Sequence, residues 1–334
     1  MRGRGAEARG GLDCEMGQVS AGAIAAGWVV WLAAGCGAVL LEDRCTLMTS
    51  EVVTFRFAVE TMPEDSNAIA VIDGMHVDME TGYVCGGGWC RWEFGLAGSG
   101  WHYGPEEAWL YVGPAARYNL ASIPDRFGFI GARANEVFWI LPQSAAAAPG
   151  ALYAGFSSER MGAWEKGQLC SWNPEEARGG ANAWAKWLRV RLADVRRPAG
   201  GEFSMWQADQ FGNVAVHFST YEGGVGPEDV YHYTAGGHTH MNWGFTKAGV
   251  YEVDLEVSTY YRCSAGLTGD LNGDCVVDFG DVGVMAMQWG DACGDPNSCS
   301  ADKAWPAGVG LEDLAILAEQ WLACGSPFDP ECVK

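Results

Sequence analysis

Between residues 45 and 262 the chain alternates short apolar runs with glycine- and proline-rich breaks, and the runs carry the period of strands. The runs 52–59, 136–141, 188–192, 214–218 and 250–257 are rich in β-branched and aromatic residues, and several alternate apolar with polar positions. Breaks fall at Gly98-Ser-Gly100, Pro149-Gly150, Gly179-Gly180, Pro198 to Gly201 and Gly223-Gly224. No long helical period interrupts them; only the Ala- and Trp-rich stretch 181–187 departs from the pattern. The expected architecture is mainly β, an antiparallel sandwich or jelly roll over 42–263.

After a short hinge near 264–269 the period changes to that of helices. Phe279, Val282, Met285, Ala286 and Trp289 fall on one helical face, and Leu311, Leu314, Leu317, Ala318 and Trp321 repeat the pattern 32 residues on. The segment 264–334 is therefore expected to be a small module of two loop-helix units. The loop ahead of the first helix places Asp270, Asn272, Asp274, Asp278 and Asp281 at positions 1, 3, 5, 9 and 12, with the carbonyl of Val276 at position 7. That is the oxygen-only ligand spacing of an EF-hand calcium loop. Position 12 is Asp rather than Glu, and position 6 is Cys275 where Gly usually makes the turn.

The Asp at position 12 and the duplicated loop-helix unit resemble a type I dockerin. The resemblance implies bound Ca2+ and a cohesin-like docking partner. The second loop has decayed, with Ala304, Pro306 and Gly310 at positions 3, 5 and 9, so only Asp302 and Asp313 stand as ligands and one good calcium site is expected. The partner-facing positions 10 and 11, usually Ser-Thr in this family, are Phe279-Gly280 and Leu311-Glu312, which leaves the partner's identity open.

At the other end, Arg2, Arg4 and Arg9 precede an apolar run over 21–41 that closes on Glu42-Asp43-Arg44. This reads as an export signal over 1–41, with Leu32-Ala-Ala-Gly-Cys36 near to a lipoprotein cleavage box and a single-pass anchor as the other reading. Either way the body is expected outside the cytoplasm. Cysteine usage agrees: Cys45, Cys85, Cys90, Cys170, Cys263, Cys275, Cys293, Cys299, Cys324 and Cys332 contain no Cys-x-x-Cys pair, so disulfides are expected. The net charge is −21, with twelve acids against two lysines from Asp270 onward, and no basic stripe offsets it, which argues against nucleic-acid binding.

The β segment carries one concentrated polar motif, Gly236-Gly-His-Thr-His-Met-Asn-Trp-Gly-Phe245. On a strand, His238 and His240 share a face, so two imidazoles stand ready for one ion, with Asn242 next along. Joined by His76, with Asp78 either as a further ligand or, like Asn242, as a group that orients a ring, they form a candidate site for Zn2+ or another transition metal; the competing reading is core packing and backbone hydrogen bonding. The motif resembles the choice-of-anchor M domain of bacterial surface proteins. Gly74-Met-His76-Val-Asp78, Pro124 to Gly131, Trp139 to Gln143, Gly155-Phe with Glu159, and Phe203 to Trp206 ahead of Phe211-Gly212 follow in that family's order. Met75 is an insertion between the usual Gly and His. The resemblance implies an exported β domain with a variable C-terminal module, and does not name a ligand.

Sixteen tryptophans favour a packed core, and the local group Trp89, Trp92, Trp101 and Trp109 near Tyr103 and Tyr111 also suits stacking on sugars. Catalysis has little support: no nucleophile elbow, zincin helix or phosphate loop occurs, and Glu106-Glu107 and Glu175-Glu176 read as solvated turns, not as a glycosidase dyad. The expected function is a non-catalytic surface or extracellular binding protein docked through a calcium-dependent tail. A polysaccharide-binding or polysaccharide-degrading component, or one that takes a cell-envelope ligand, is the alternative.

Overall fold

The computed structural model describes residues 32–33, 38–41, 45–63, 69–86, 89–174, 185–263, 267–291, 299–304, 308–326 and 332. Most of the proposed export segment, the stretch 181–184, Glu175-Glu176, Cys293 and Pro306 lie outside them. The described part of the 21–41 run forms two short strands, Leu32–Ala33 and Ala38–Leu41, the second paired to Trp172–Asn173. Among the described residues no helix is long and apolar enough to cross a membrane.

The molecule is mainly β, and each strand expected from the sequence is present: Val53–Val59, Val137–Leu141, Trp187–Arg196, Val214–Ser219 and Gly249–Arg262. The Trp187–Arg196 strand shows why alternation was a sound guide. Leu188, Val190 and Leu192 are fully buried, whereas Arg191 points outward and forks onto Glu256 of the neighbouring strand at 3.0 and 3.1 Å. A bulge between Leu192 and Asp194 then shifts the register, so that Val195, not Asp194, returns to the core.

Three larger sheets enclose one core. The largest is built on Gly249–Arg262, flanked by Trp187–Arg196 and Val53–Val59; a second runs Arg117–Asn119, Val137–Leu141, Asn242–Phe245, Phe203–Ala208, Val214–Ser219. The third has the order His238–His240, Tyr153–Ser157, His76–Gly86, Trp89–Gly98, Trp101–Tyr103. Aromatic rings tie them together: Phe57 of the first sheet lies 5.7 Å from Trp243 of the second, Phe55 lies 5.0 Å from Phe94 of the third, and Phe156 of the third lies 5.7 Å from Trp243. Two pairings in the first sheet, Val53–Val59 with Ala108–Val112 and Ala70–Ile72 with Ala108–Val112, are parallel, as is His76–Gly86 with Tyr153–Ser157, so the sheets are mixed and not purely antiparallel.

The C-terminal segment has its own small core of Val277, Met285, Cys299, Ala301, Val309 and Leu317 between the helices Phe279–Gln288 and Leu311–Glu319. The 32-residue duplication is written into its hydrogen bonds. Buried Asp281 accepts from the backbone N–H of Leu271, Asn272 and Asp278, and buried Asp313 accepts from those of Lys303, Ala304 and Gly310. Gln320 Oε1 accepts the Gly269 N–H at 2.7 Å, and Gln288 Oε1 accepts that of Ala301 at 3.0 Å, each copy thus holding the other's loop. The backbone pairs Val277 to Ala323 and Val309 to Asp291 complete the two-fold pattern.

Disulfides join Cys45 to Cys170, Cys263 to Cys275 and Cys324 to Cys332, and Cys299 is also disulfide-bonded. The second bridge fastens the end of the long Gly249–Arg262 strand to the first loop of the helical segment. Such pairs form in an oxidising compartment.

His232, in the Val230–Thr234 strand, meets Trp172 edge-on at 5.6 Å, and its imidazole is pushed down to about 3 by burial, then by Arg189 and His217. The unfolded chain takes up this proton near pH 6.5 while the folded chain refuses it. Stability from His232 is therefore full above about pH 6.5 and is lost as pH falls toward 3, at up to about 1.4 kcal/mol per pH unit. Urea unfolding between pH 7 and 4.5 is expected to show a shallower pH dependence in His232→Phe than in the native chain.

Candidate metal centre

The motif 236–245 takes the chain from a strand of the first sheet through the third sheet to the second. A tight turn, with Gly236 at φ +79° and the Gly237 N–H on the Thr234 carbonyl at 2.7 Å, carries it from the Val230–Thr234 strand to the edge of the third sheet. There His238–His240 pairs with Tyr153–Ser157, placing His240 opposite Gly155 and His238 opposite Ser157. On the other side of Tyr153–Ser157 runs His76–Gly86, with His76 opposite Tyr153 and Asp78 opposite Gly155. Met241, fully buried, then anchors the chain as it leaves for the second sheet, where Asn242–Phe245 lies.

This register brings four side chains over one residue that has none. His76, Asp78, His238 and His240 each offer one ligand atom, and these atoms all lie within 4.8 Å of one another. The His76 Nε2 stands 2.8 Å from His240 Nε2 and 3.3 Å from His238 Nε2; Asp78 Oδ1 is 3.0 Å from His238 Nε2 and 3.2 Å from His76 Nε2. Two nitrogens on one tetrahedral zinc ion stand about 3.3 Å apart, given bonds of about 2.0–2.1 Å. Tyr153 stacks on His76 at 5.1 Å and meets His240 edge-on at 5.3 Å, so one ring touches both imidazoles.

Gly155 makes this arrangement sterically feasible. A Cβ there would collide with the Thr239 carbonyl oxygen and reach the His240 Cδ2 at 2.9 Å. Its absence lets the edge strand close in and leaves the centre of the cluster clear.

The electrostatics suit a cation. Burial raises the Asp78 carboxyl above its ordinary range, against the opposing pull of His76 and His238. His240 is pushed down to about 4 by burial and then by His238 and His76, so it is a neutral imidazole at pH 7 with a lone pair to give. One cation at the centre would take a lone pair from each of the three converging ring nitrogens and a charge from Asp78 at once. Three imidazoles and one carboxylate can hold a divalent transition metal and are a poor set for calcium or magnesium.

The sequence placed His76, Asp78, His238 and His240 together, and the structure does the same. Asn242 is not with them: its Oδ1 accepts the Gln143 N–H at 2.9 Å and its Nδ2 donates to Gln143 Oε1 at 3.1 Å, because the chain has already crossed to another sheet. The sequence reading missed Gly155, whose contribution is an absent side chain, and His102, which shares the metal-site face. Trp109 is buried and Trp101 half-buried, as expected for packing; Glu107 closes its own turn by accepting the Gly104 N–H at 2.7 Å.

In the loop ahead of the Phe279–Gln288 helix, Asp270 accepts from the N–H groups of Gly273 and Cys275, and Asp274 from that of Val276. Cys275 has φ +69°, the left-handed turn that Gly usually makes at this position, and its disulfide to Cys263 holds it there. Burial raises the Asp270 carboxyl, and the charges of Asp281 and Asp274 push the same way against the loop amides. The second loop differs: burial of Asp313 is outweighed by the amides of Gly310, Lys303 and Ala304, which hold it below the ordinary range. A second grouping, Cys263, Asp270 and Cys275, offers no thiolate, since both cysteines are in one disulfide.

No family model matches the chain, and no curated protein or solved structure matches it either. The chemistry of its own residues therefore carries the functional reading.

Proposed function

We propose that this chain is an exported, non-catalytic binding protein of the cell surface or extracellular space. Its β domain, of choice-of-anchor M type, holds one transition-metal ion, with zinc the first candidate, through His76, Asp78, His238 and His240. Its dockerin-like tail holds one calcium ion through Asp270, Asn272, Asp274, the Val276 carbonyl, Asp278 and Asp281, and docks on a cohesin-like partner. The convergence of three imidazole nitrogens and a carboxylate over Gly155 carries the metal reading. The two-fold hydrogen bonding of the tail supports the dockerin-like reading, and the disulfides support export.

Elemental analysis of the purified chain tests this directly. About one equivalent of transition metal and one of calcium are expected. The double substitution His238→Ala with His240→Ala removes the transition metal and leaves the calcium. Transition-metal affinity also falls on acidification, because a protonated imidazole cannot ligate. Unchanged metal content in the double variant would reduce the motif to packing.

A further inference from the structure

The centre is open on one side. All four donors rise from a single sheet face and so reach an ion from one hemisphere. The side chains of His76, His238 and His240 keep 30%, 28% and 25% exposure. Beside them the sheet is floored by small residues. In one row across the five strands stand His240, Gly155, Asp78, Ala97 and His102, and in the next stand His238, Ser157, Glu80 and Gly95. A cavity of about 600 Å³ runs over this floor from the donors to Glu80 and His102.

Neither of those two residues is needed to hold the ion. Glu80 is buried, 5% exposed, yet among the described residues its Oε1 accepts one amide, the Arg160 N–H at 3.0 Å. The His102 ring lies over Gly95, where a Cβ would stand 3.0 Å from its Nε2, and Gly95 is the direct cross-strand neighbour of Glu80. An imidazole thus borders the cavity two strands, or roughly 10 Å, from Asp78, and an acceptor borders it two residues, or roughly 7 Å, along the Asp78 strand.

We propose that the open side of the ion, Glu80 and His102 together bind a small hydroxy-carboxylate of the sugar-acid class. The inference rests on the metal reading above. A divalent ion on three neutral imidazoles and one carboxylate keeps a net charge of about +1, which one carboxylate of a ligand neutralises. Glu80 repels a second anionic group and accepts hydroxyls, while His102 hydrogen-bonds a hydroxyl in either tautomer. The cavity volume lies within the range of about 300–1,000 Å³ usual for small-ligand sites and admits one or two sugar rings.

The test is the visible spectrum of the full chain loaded with cobalt(II), titrated with galacturonate, acetate or galactose. Galacturonate is expected to shift the spectrum and to bind at least about 10-fold more tightly than acetate, with galactose without effect, since one added hydrogen-bonded contact of about 1.4 kcal/mol is tenfold. Glu80→Gln, which keeps an oxygen for the Arg160 N–H, and His102→Phe are each expected to bring galacturonate to within about 3-fold of acetate with cobalt content unchanged. Should Glu80→Gln fail to fold, His102→Phe decides alone. A cobalt-loaded chain whose spectrum no carboxylate moves, or that binds acetate and galacturonate equally, overturns the sugar-acid site and leaves the metal centre standing. A chain that takes up no cobalt overturns the metal centre itself, and the sugar-acid site with it.

Discussion

Gly155→Ala is expected to empty the metal centre. The added Cβ would occupy the position facing the Thr239 carbonyl oxygen, which is backbone and cannot rotate away, and would press on the His240 ring at 2.9 Å. The edge strand His238–His240 must then withdraw, carrying two of the four donors with it and breaking its pairing to Tyr153–Ser157. Overpacking and lost pairing together cost about 2–4 kcal/mol, and at about 2–4 °C per kcal/mol the thermal midpoint falls by about 5–15 °C. Gly82→Ala is the control: it lies in the neighbouring His76–Gly86 strand, and a Cβ there meets nothing within 4 Å. Transition-metal content below about a tenth of native in Gly155→Ala, with native content in Gly82→Ala, is the expected result of elemental analysis paired with thermal unfolding. Native metal content in Gly155→Ala would mean that the donors do not depend on the closeness of that edge strand.

The contrast between Gly155 and His238 shows what the sequence could convey. His238 and His240 were legible because two residues apart on any strand means one face, whatever the strand pairs with. Gly155 was not, because its partners His240 and Asp78 lie far away in sequence and the pairing with His76–Gly86 is parallel, a choice that no local pattern encodes. His102 was hidden for the same reason: its row is fixed by the register of two hairpin strands. Strands that bury a full face, such as Trp187–Arg196, announced themselves by alternation, whereas three-residue strands such as Ala70–Ile72 and Trp101–Tyr103 are too short to show any period. Asn242 misled because the regular spacing of the motif gives no sign that Met241, fully buried, turns the chain into another sheet. In the tail, by contrast, the 32-residue repeat was legible, and the amides held by Asp281 and Asp313 repeat with it, since two copies of one unit fold by the same local rules.

That repeat sets up the sharpest prediction for the tail, because its two copies share a framework and differ in ligands. Asp281 and Asp313 each hold three amides, a framework common to both copies. Asp270 and Asp302 open the two loops, yet positions 3, 5 and 9 are Asn272, Asp274 and Asp278 in the first and Ala304, Pro306 and Gly310 in the second. Only the first loop crowds carboxylates whose mutual repulsion a cation relieves, which is why burial and like charge raise Asp270. Calcium at about 100 times its dissociation constant stabilises the folded loop by about 2.7 kcal/mol, or about 100-fold in the protection of its amides. Hydrogen exchange of the full chain is therefore expected to show the Gly273 and Cys275 amides, which donate to Asp270, slowing by about that factor when calcium is added and recovering with chelator. Asp270→Ala abolishes the calcium response, and Asp302→Ala leaves both the response and the count of one calcium ion intact. Equal losses from the two substitutions would mean that the second loop also carries an ion, against the one-site reading of its decayed ligands.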